Sequence, residues 1–202
     1  VMDTAEEAAD YNAMDHADVN RRFVDDLLAA AGPRSLGTCA DAGTGAALVH
    51  CPTCNLFLGS GLFDLRRALS AGVPVALGTD VGGGTTFSML GVLHDAYKVA
   101  QLRGHGLAPL HAFYLATLGA ARALDLDSRI GSFATGREAD FVVLDPAATP
   151  LLARRAAAVG DIAETLFLLM TLGDDRAVAR TYLMGRLCYD RDAPVSGAGC
   201  GE

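Results

Sequence analysis

Gly78-Thr79-Asp80, at the head of a glycine-rich stretch, holds the strongest chemical potential in the chain. The acid follows an apolar run, Val73-Pro74-Val75-Ala76-Leu77, that reads as a buried strand. A carboxylate just past such a strand stands at the carboxyl end of a sheet, where βα loops assemble active sites in barrels. There it can ligate a divalent metal and take a proton from metal-bound water. Gly82-Gly83-Gly84 would let the backbone pass close to a metal or a flat ligand. The same spacing fits an aspartate that caps the next helix or closes a turn. On spacing alone both readings stand.

A second constellation, His50-Cys51-Pro52-Thr53-Cys54-Asn55, ends the preceding apolar run Ala46-Ala47-Leu48-Val49. A Cys-x-x-Cys pair can be a redox dithiol, which prefers the start of a helix in a thioredoxin-like setting. It can be half of a zinc site, although no second pair at ligand spacing follows. It can be set beside the cytidine-type deaminases, but their order is Pro-Cys-x-x-Cys with an accompanying His-x-Glu, absent here. Residue chemistry favours a tight proline turn with buried thiols. His94, His105 and His111 fall in a helical region with no spacing that gathers them, and read as surface or packing residues. Gly82-Gly83-Gly84 is no phosphate loop, since no Lys-Ser or Lys-Thr follows.

The elements that must position these residues follow from periodicity. Residues 24–30 read as helix, stopped by Gly32-Pro33, and 35–45 as irregular. A strand over 46–49, a helix over 62–70, a strand over 73–77, a loop over 78–84 and helices over 86–102 and 109–118 come next. Strand, loop, helix in alternation is the rhythm of a parallel α/β sheet or barrel. Beyond about residue 129 the rhythm changes: a strand over 139–145, an amphipathic helix over 161–172, and two β segments about Gly185 within 180–189. The Gly- and Ala-rich tail reads as disordered.

Bulk properties narrow the classes. The chain has 202 residues, 51% hydrophobic and 20% charged, which suffices for a buried core. A net charge of -8 without a basic run argues against a nucleic-acid surface. No stretch approaches the roughly 20 apolar residues of a membrane helix. Five cysteines without a regular framework fit reduced thiols and a cytoplasmic location. The acidic start, Val1-Met2-Asp3-Thr4-Ala5-Glu6-Glu7, is unlike a signal peptide, and its lack of an initial Met is expected of a record that begins mid-protein.

Taken as strings, several segments resemble one family. His50-Cys51-Pro52-Thr53-Cys54-Asn55-Leu56-Phe57-Leu58-Gly59-Ser60-Gly61 is similar to the segment that bacterial guanine deaminases of the amidohydrolase superfamily carry as His-Cys-Pro-Thr-Ser-Asn. Leu77-Gly78-Thr79-Asp80-Val81-Gly82-Gly83-Gly84-Thr85 resembles that family's metal-aspartate loop. Three further runs also match: Ala116-Thr117-Leu118-Gly119-Ala120-Ala121-Arg122-Ala123-Leu124, Gly136-Arg137-Glu138-Ala139-Asp140-Phe141-Val142-Val143-Leu144-Asp145 and Leu169-Met170-Thr171-Leu172-Gly173-Asp174-Asp175-Arg176. The resemblance spans residues 46–191 in the family's order.

It implies an α/β fold: a partial (β/α)8 TIM-type barrel over residues 1–129, with part of a small β-sandwich and a helix over 130–191 and a tail over 192–202. It implies one Zn2+ ion, with Asp80 as metal ligand and catalytic proton carrier, and hydrolysis of guanine to xanthine and ammonia. The expected partner is a small-molecule purine, with no nucleic acid and no membrane, and with association or a homodimer to cover open sheet edges. The family's His-x-His pair and two further histidines have no counterpart, His50 belongs to a different family position, and Cys54 replaces the usual Ser. Catalytic zinc sites usually supply three protein ligands, so the chain alone is expected to be inactive. The alternatives are a non-catalytic truncated remnant and an amidohydrolase acting on another ring amine or halide.

Overall fold

The structure, a computed structural model, describes residues 47–193. The expected helix over 24–30, the irregular stretch 35–45 and residues 194–202 of the expected tail lie outside the described residues.

The described chain opens on a parallel pair. Strand β1 (Leu48–His50) lies beside β2 (Val75–Leu77), with Leu48 opposite Val75 and His50 opposite Leu77. Parallel strands need a crossover, and helices α1 (Pro52–Phe57) and α2 (Leu65–Ser70) supply it. All three residues of β2 are buried, as its continuous apolar run requires. Both strands end on the same side, so the segments after His50 and after Leu77 leave one rim together.

Segment 52–57 differs from the expected proline turn, because it is a helix. Pro52 sits in its first turn, where the missing N–H has no helical partner to lose and the ring presets φ. Asn55 donates to the Cys51 carbonyl at 3.0 Å, closing that turn.

Helix α3 (Met89–Leu102) is the centre of the core, burying Leu90, Val92, Leu93, Ala96, Val99 and Ala100 on one face. It packs against α1 and against α4 (Pro109–Ala116) and α7 (Ile162–Leu172), and α4 and α5 (Leu118–Ala123) in turn pack on β2. The expected helix over 109–118 breaks at Thr117, whose φ of -129° and ψ of -101° are not helical. Its hydroxyl donates to the Phe113 carbonyl at 2.7 Å.

A second sheet follows. Strand β3 (Phe141–Leu144) pairs antiparallel with β4 (Val178–Leu183), and β4 with β5 (Arg186–Asp190). The β4–β5 hairpin turns on Met184 and Gly185, both at positive φ (50° and 76°), which a two-residue turn matched to strand twist needs. Between β3 and β4 run α6 (Pro150–Ala156), α7 and a short 3-10 turn (Asp175–Ala177). Asp161 caps α7 by accepting from the Glu164 N–H at 2.8 Å, while the Glu164 carboxylate accepts from the Gly160 N–H at 2.7 Å. Among the described residues, no helix is long and apolar enough to cross a membrane.

Leu93 is 1% exposed and sits where α3 meets its neighbours, whereas Leu110 on α4 is 58% exposed. L93A is expected to lower the urea-unfolding free energy by about 3 kcal/mol and L110A by less than about 0.5 kcal/mol.

Candidate active site

The rim shared by β1 and β2 gathers the two constellations. Asp80 lies three residues past the end of β2, in an exposed loop. The next helix, α3, begins at Met89 with Ser88 at its cap position, so Asp80 is no helix cap. Its carbonyl accepts from the Gly83 and Gly84 N–H groups, making a tight turn with Asp80 at its head. Asp80 holds φ at 48°, a left-handed conformation that costs a non-glycine residue energy and that tends to persist at functional sites.

Two glycines make this turn sterically workable. A Cβ on Gly84 would fall 2.0 Å from the Thr79 carbonyl oxygen and 3.0 Å from that of Asp80. A Cβ on Gly83 would fall 2.7 Å from Cys54 Sγ and 3.8 Å from Asp80 Oδ2. The loop therefore lies directly on α1. Thr53 fastens it by donating its hydroxyl to the Thr79 carbonyl at 3.4 Å, and Gly78 donates to the His50 carbonyl at 3.1 Å.

Cys54 is buried, and its thiol hydrogen-bonds to the Asp80 carboxylate. Burial, that hydrogen bond and the nearby negative charge push its pKa up to about 12. Cys51 is half-buried, and burial and the Asp80 charge raise its pKa too. At neutral pH both are therefore held mainly as thiols. His50 is 2% exposed and stacks on Phe63 at 4.6 Å between ring centroids. Desolvation lowers its pKa to about 4, so it is a neutral packing residue facing away from any ligand role.

The rim thus unites Asp80, Cys51, Cys54 and Thr53. His94 lies on α3, His111 on α4 and His105 in the loop between them. Among the described residues no three His, Cys, Asp or Glu side chains stand together as a metal site. Catalytic zinc takes three or more gathered protein ligands, and the described residues at this rim do not gather them, so by themselves they do not fit the ion. The arrangement can hold a proton acceptor at an open rim. A separate groove of about 780 Å³, lined in part by Pro109, Arg154, Asp161 and Phe167, includes none of these groups.

Sequence spacing alone could not show the contact between Cys54 and Asp80, which lie far apart in the chain. Pro52 at a helix start was the available sign that Cys51 and Cys54 share one helical turn.

Comparison with known proteins places this geometry. A model described as the amidohydrolase family matches residues 13–188. The guanine deaminase of Escherichia coli is 54% identical over 149 residues, covering 74% of this chain and 34% of that protein. Its solved structure superposes with a TM-score of 0.71 over 73% of this chain and 34% of its own. A guanine deaminase from C. acetobutylicum with bound guanine in the active site gives a TM-score of 0.60 at 30% identity, over 70% of this chain and 33% of its own. An adenosine deaminase from Xanthomonas campestris with bound zinc gives 0.61 at 27% identity, over 72% and 32%. The chain spans about a third of the length of the curated relatives it matches.

Two outcomes test the site's packing. His50 has a folded pKa of about 4 against an ordinary 6.5, so the unfolded chain takes up the proton first. The stability this neutral residue lends is present above pH 6.5 and is lost as pH falls toward 4, by about 3 kcal/mol in all. H50L should flatten the fall in melting temperature across that window. G84A should cost about 2 kcal/mol in urea unfolding, against less than about 0.5 for G106A, since an added Cβ at Gly106 meets nothing within 4 Å.

Proposed function

The chain belongs to the amidohydrolase family, and on that premise we propose that it supplies the C-terminal part of a zinc-dependent guanine deaminase, converting guanine and water to xanthine and ammonia. The observation that carries this reading is Asp80, exposed at the rim in a left-handed turn, within a segment 54% identical to a guanine deaminase. Similarity to the E. coli guanine deaminase supports guanine as the substrate. Neighbours that act on other rings, such as the adenosine deaminase, are less similar at 27% identity.

Asp80 is this chain's contribution to the site. Its carboxylate accepts the proton released as water attacks the ring carbon bearing the 2-amino group, and returns it to the nitrogen that leaves as ammonia. Such positioned proton transfer accounts for about 10²- to 10⁴-fold in rate. Asp80 is also the one ligand this segment gives to a single zinc ion. Among the described residues, 47–129 belong to a barrel of the TIM type and 130–191 to a composite sandwich with its helix. The protein works in the cytoplasm on a free purine, without nucleic acid or membrane, and pairs as a homodimer.

For the chain taken alone a second reading has its own support. With no three-ligand group among the described residues, it is a non-catalytic module. Val49, Phe57 and Phe87 are 52%, 69% and 85% exposed, so it associates unless a partner covers them.

Zinc content and ammonia release from guanine test both readings. The chain alone should hold no stoichiometric zinc and release no ammonia. Grafted in place of the matching third of E. coli guanine deaminase, it should restore both, and D80N in the graft should lower kcat/KM by about 10²- to 10⁴-fold. A graft that stays active with D80N, or that prefers adenosine to guanine, overturns the proposal. Unit zinc in the isolated chain overturns its inactivity.

A further inference from the structure

We propose that Cys51 and Cys54 are a dithiol that closes reversibly to an intramolecular disulfide beneath the Asp80 loop. The two residues begin one helical turn, fixed by the 3.0 Å bond from the Asn55 N–H to the Cys51 carbonyl and the 2.9 Å bond from the Leu58 N–H to the Cys54 carbonyl. Residues three apart on a regular helix have Cβ atoms about 5–6 Å apart, against the roughly 3.5–4.5 Å that a disulfide spans. Bridging therefore asks the backbone at Cys51 to close in by about 1–2 Å, and Cys51 is the cap residue, at φ -113° and ψ 73°, outside the regular helix.

Both sulfurs face the same loop. Cys51 Sγ lies 3.4 Å from where a Cβ on Gly78 would stand, and Cys54 Sγ lies 2.7 Å from the corresponding point on Gly83. All three cysteines among the described residues are free, and Cys188 lies apart on β5.

The two sulfurs differ in access, which orders the chemistry. Cys51 is half-buried and Cys54 is 4% exposed. Cys51, giving up its proton, attacks one sulfur of a low-molecular-weight disulfide, forming a mixed disulfide and expelling one thiolate. Cys54, giving up its proton in turn, attacks the Cys51 sulfur and expels the second. The protons of Cys51 and Cys54 pass to the two expelled thiolates. The pair loses two electrons and the external disulfide gains them. Closure removes the S–H that Cys54 donates to Asp80, leaving that carboxylate one donor poorer. The disulfide itself does not depend on the deaminase reading.

The test uses the full chain with C39S, C188S and C200S, which leaves the two cysteines in question. After treatment with oxidised glutathione, its intact mass should fall by two hydrogens with no glutathione retained, and dithiothreitol should restore it. Adding C54S should leave one glutathione held on Cys51. The wild-type chain, digested after the same treatment with free thiols blocked, should show a Cys51–Cys54 link, which covers poor folding of the variants. A C39S/C188S/C200S chain that retains glutathione on Cys51 without closing, or that does not react, overturns the proposal. So does a wild-type digest in which Cys51 pairs with another cysteine.

Discussion

Three residues of parallel pairing hold the site together. The register that sets His50 opposite Leu77 puts two chain segments on one rim at the same height. A slip by one residue would carry the end of β2 along the rim by about 3.3 Å. Asp80 would then no longer stand over α1. The pair is short, so the contacts around it carry its register: the Gly78 bond to His50, the Thr53 bond to Thr79, and the packing of α4 and α5 on β2.

Much of this frame was legible in the sequence where the physical signal is local. The buried run at Val73-Pro74-Val75-Ala76-Leu77, the loop of glycines after it and the long apolar face of α3 each state their own structure. So does the hairpin about Gly185, although Met184 takes a positive φ that no pattern of hydrophobicity announces. Signals shorter than two turns were lost. Helix α6 buries only Leu152, too little for a periodicity to register, even though Thr149 and Pro150 mark its start. The helix over 52–57 was hidden by the habit of reading Cys-Pro as a turn.

The candidate site divides in the same way. The position of Asp80 after a strand is a sequence fact, and so is its likeness to a metal-aspartate loop. That it is no cap but heads an exposed turn follows only from the distance to Ser88, from the Gly83 and Gly84 bonds to its carbonyl and from its exposure. The contact with Cys54 is tertiary and belongs to no motif. His50 has no ligand counterpart in the string, and its stacking on Phe63 and its burial make it a packing group. Burial and charge decide which of several reactive residue types can react.

The clearance between Gly83 and Cys54 links two positions that are distant in the chain. Sulfur fills the space where any side chain on residue 83 would begin. A larger residue at 83 can enter only if residue 54 shrinks, and a larger residue at 54 requires the loop to lift. In a set of descendants of this chain, the two sites would therefore change together or remain fixed, and their covariation would record a contact made by steric exclusion.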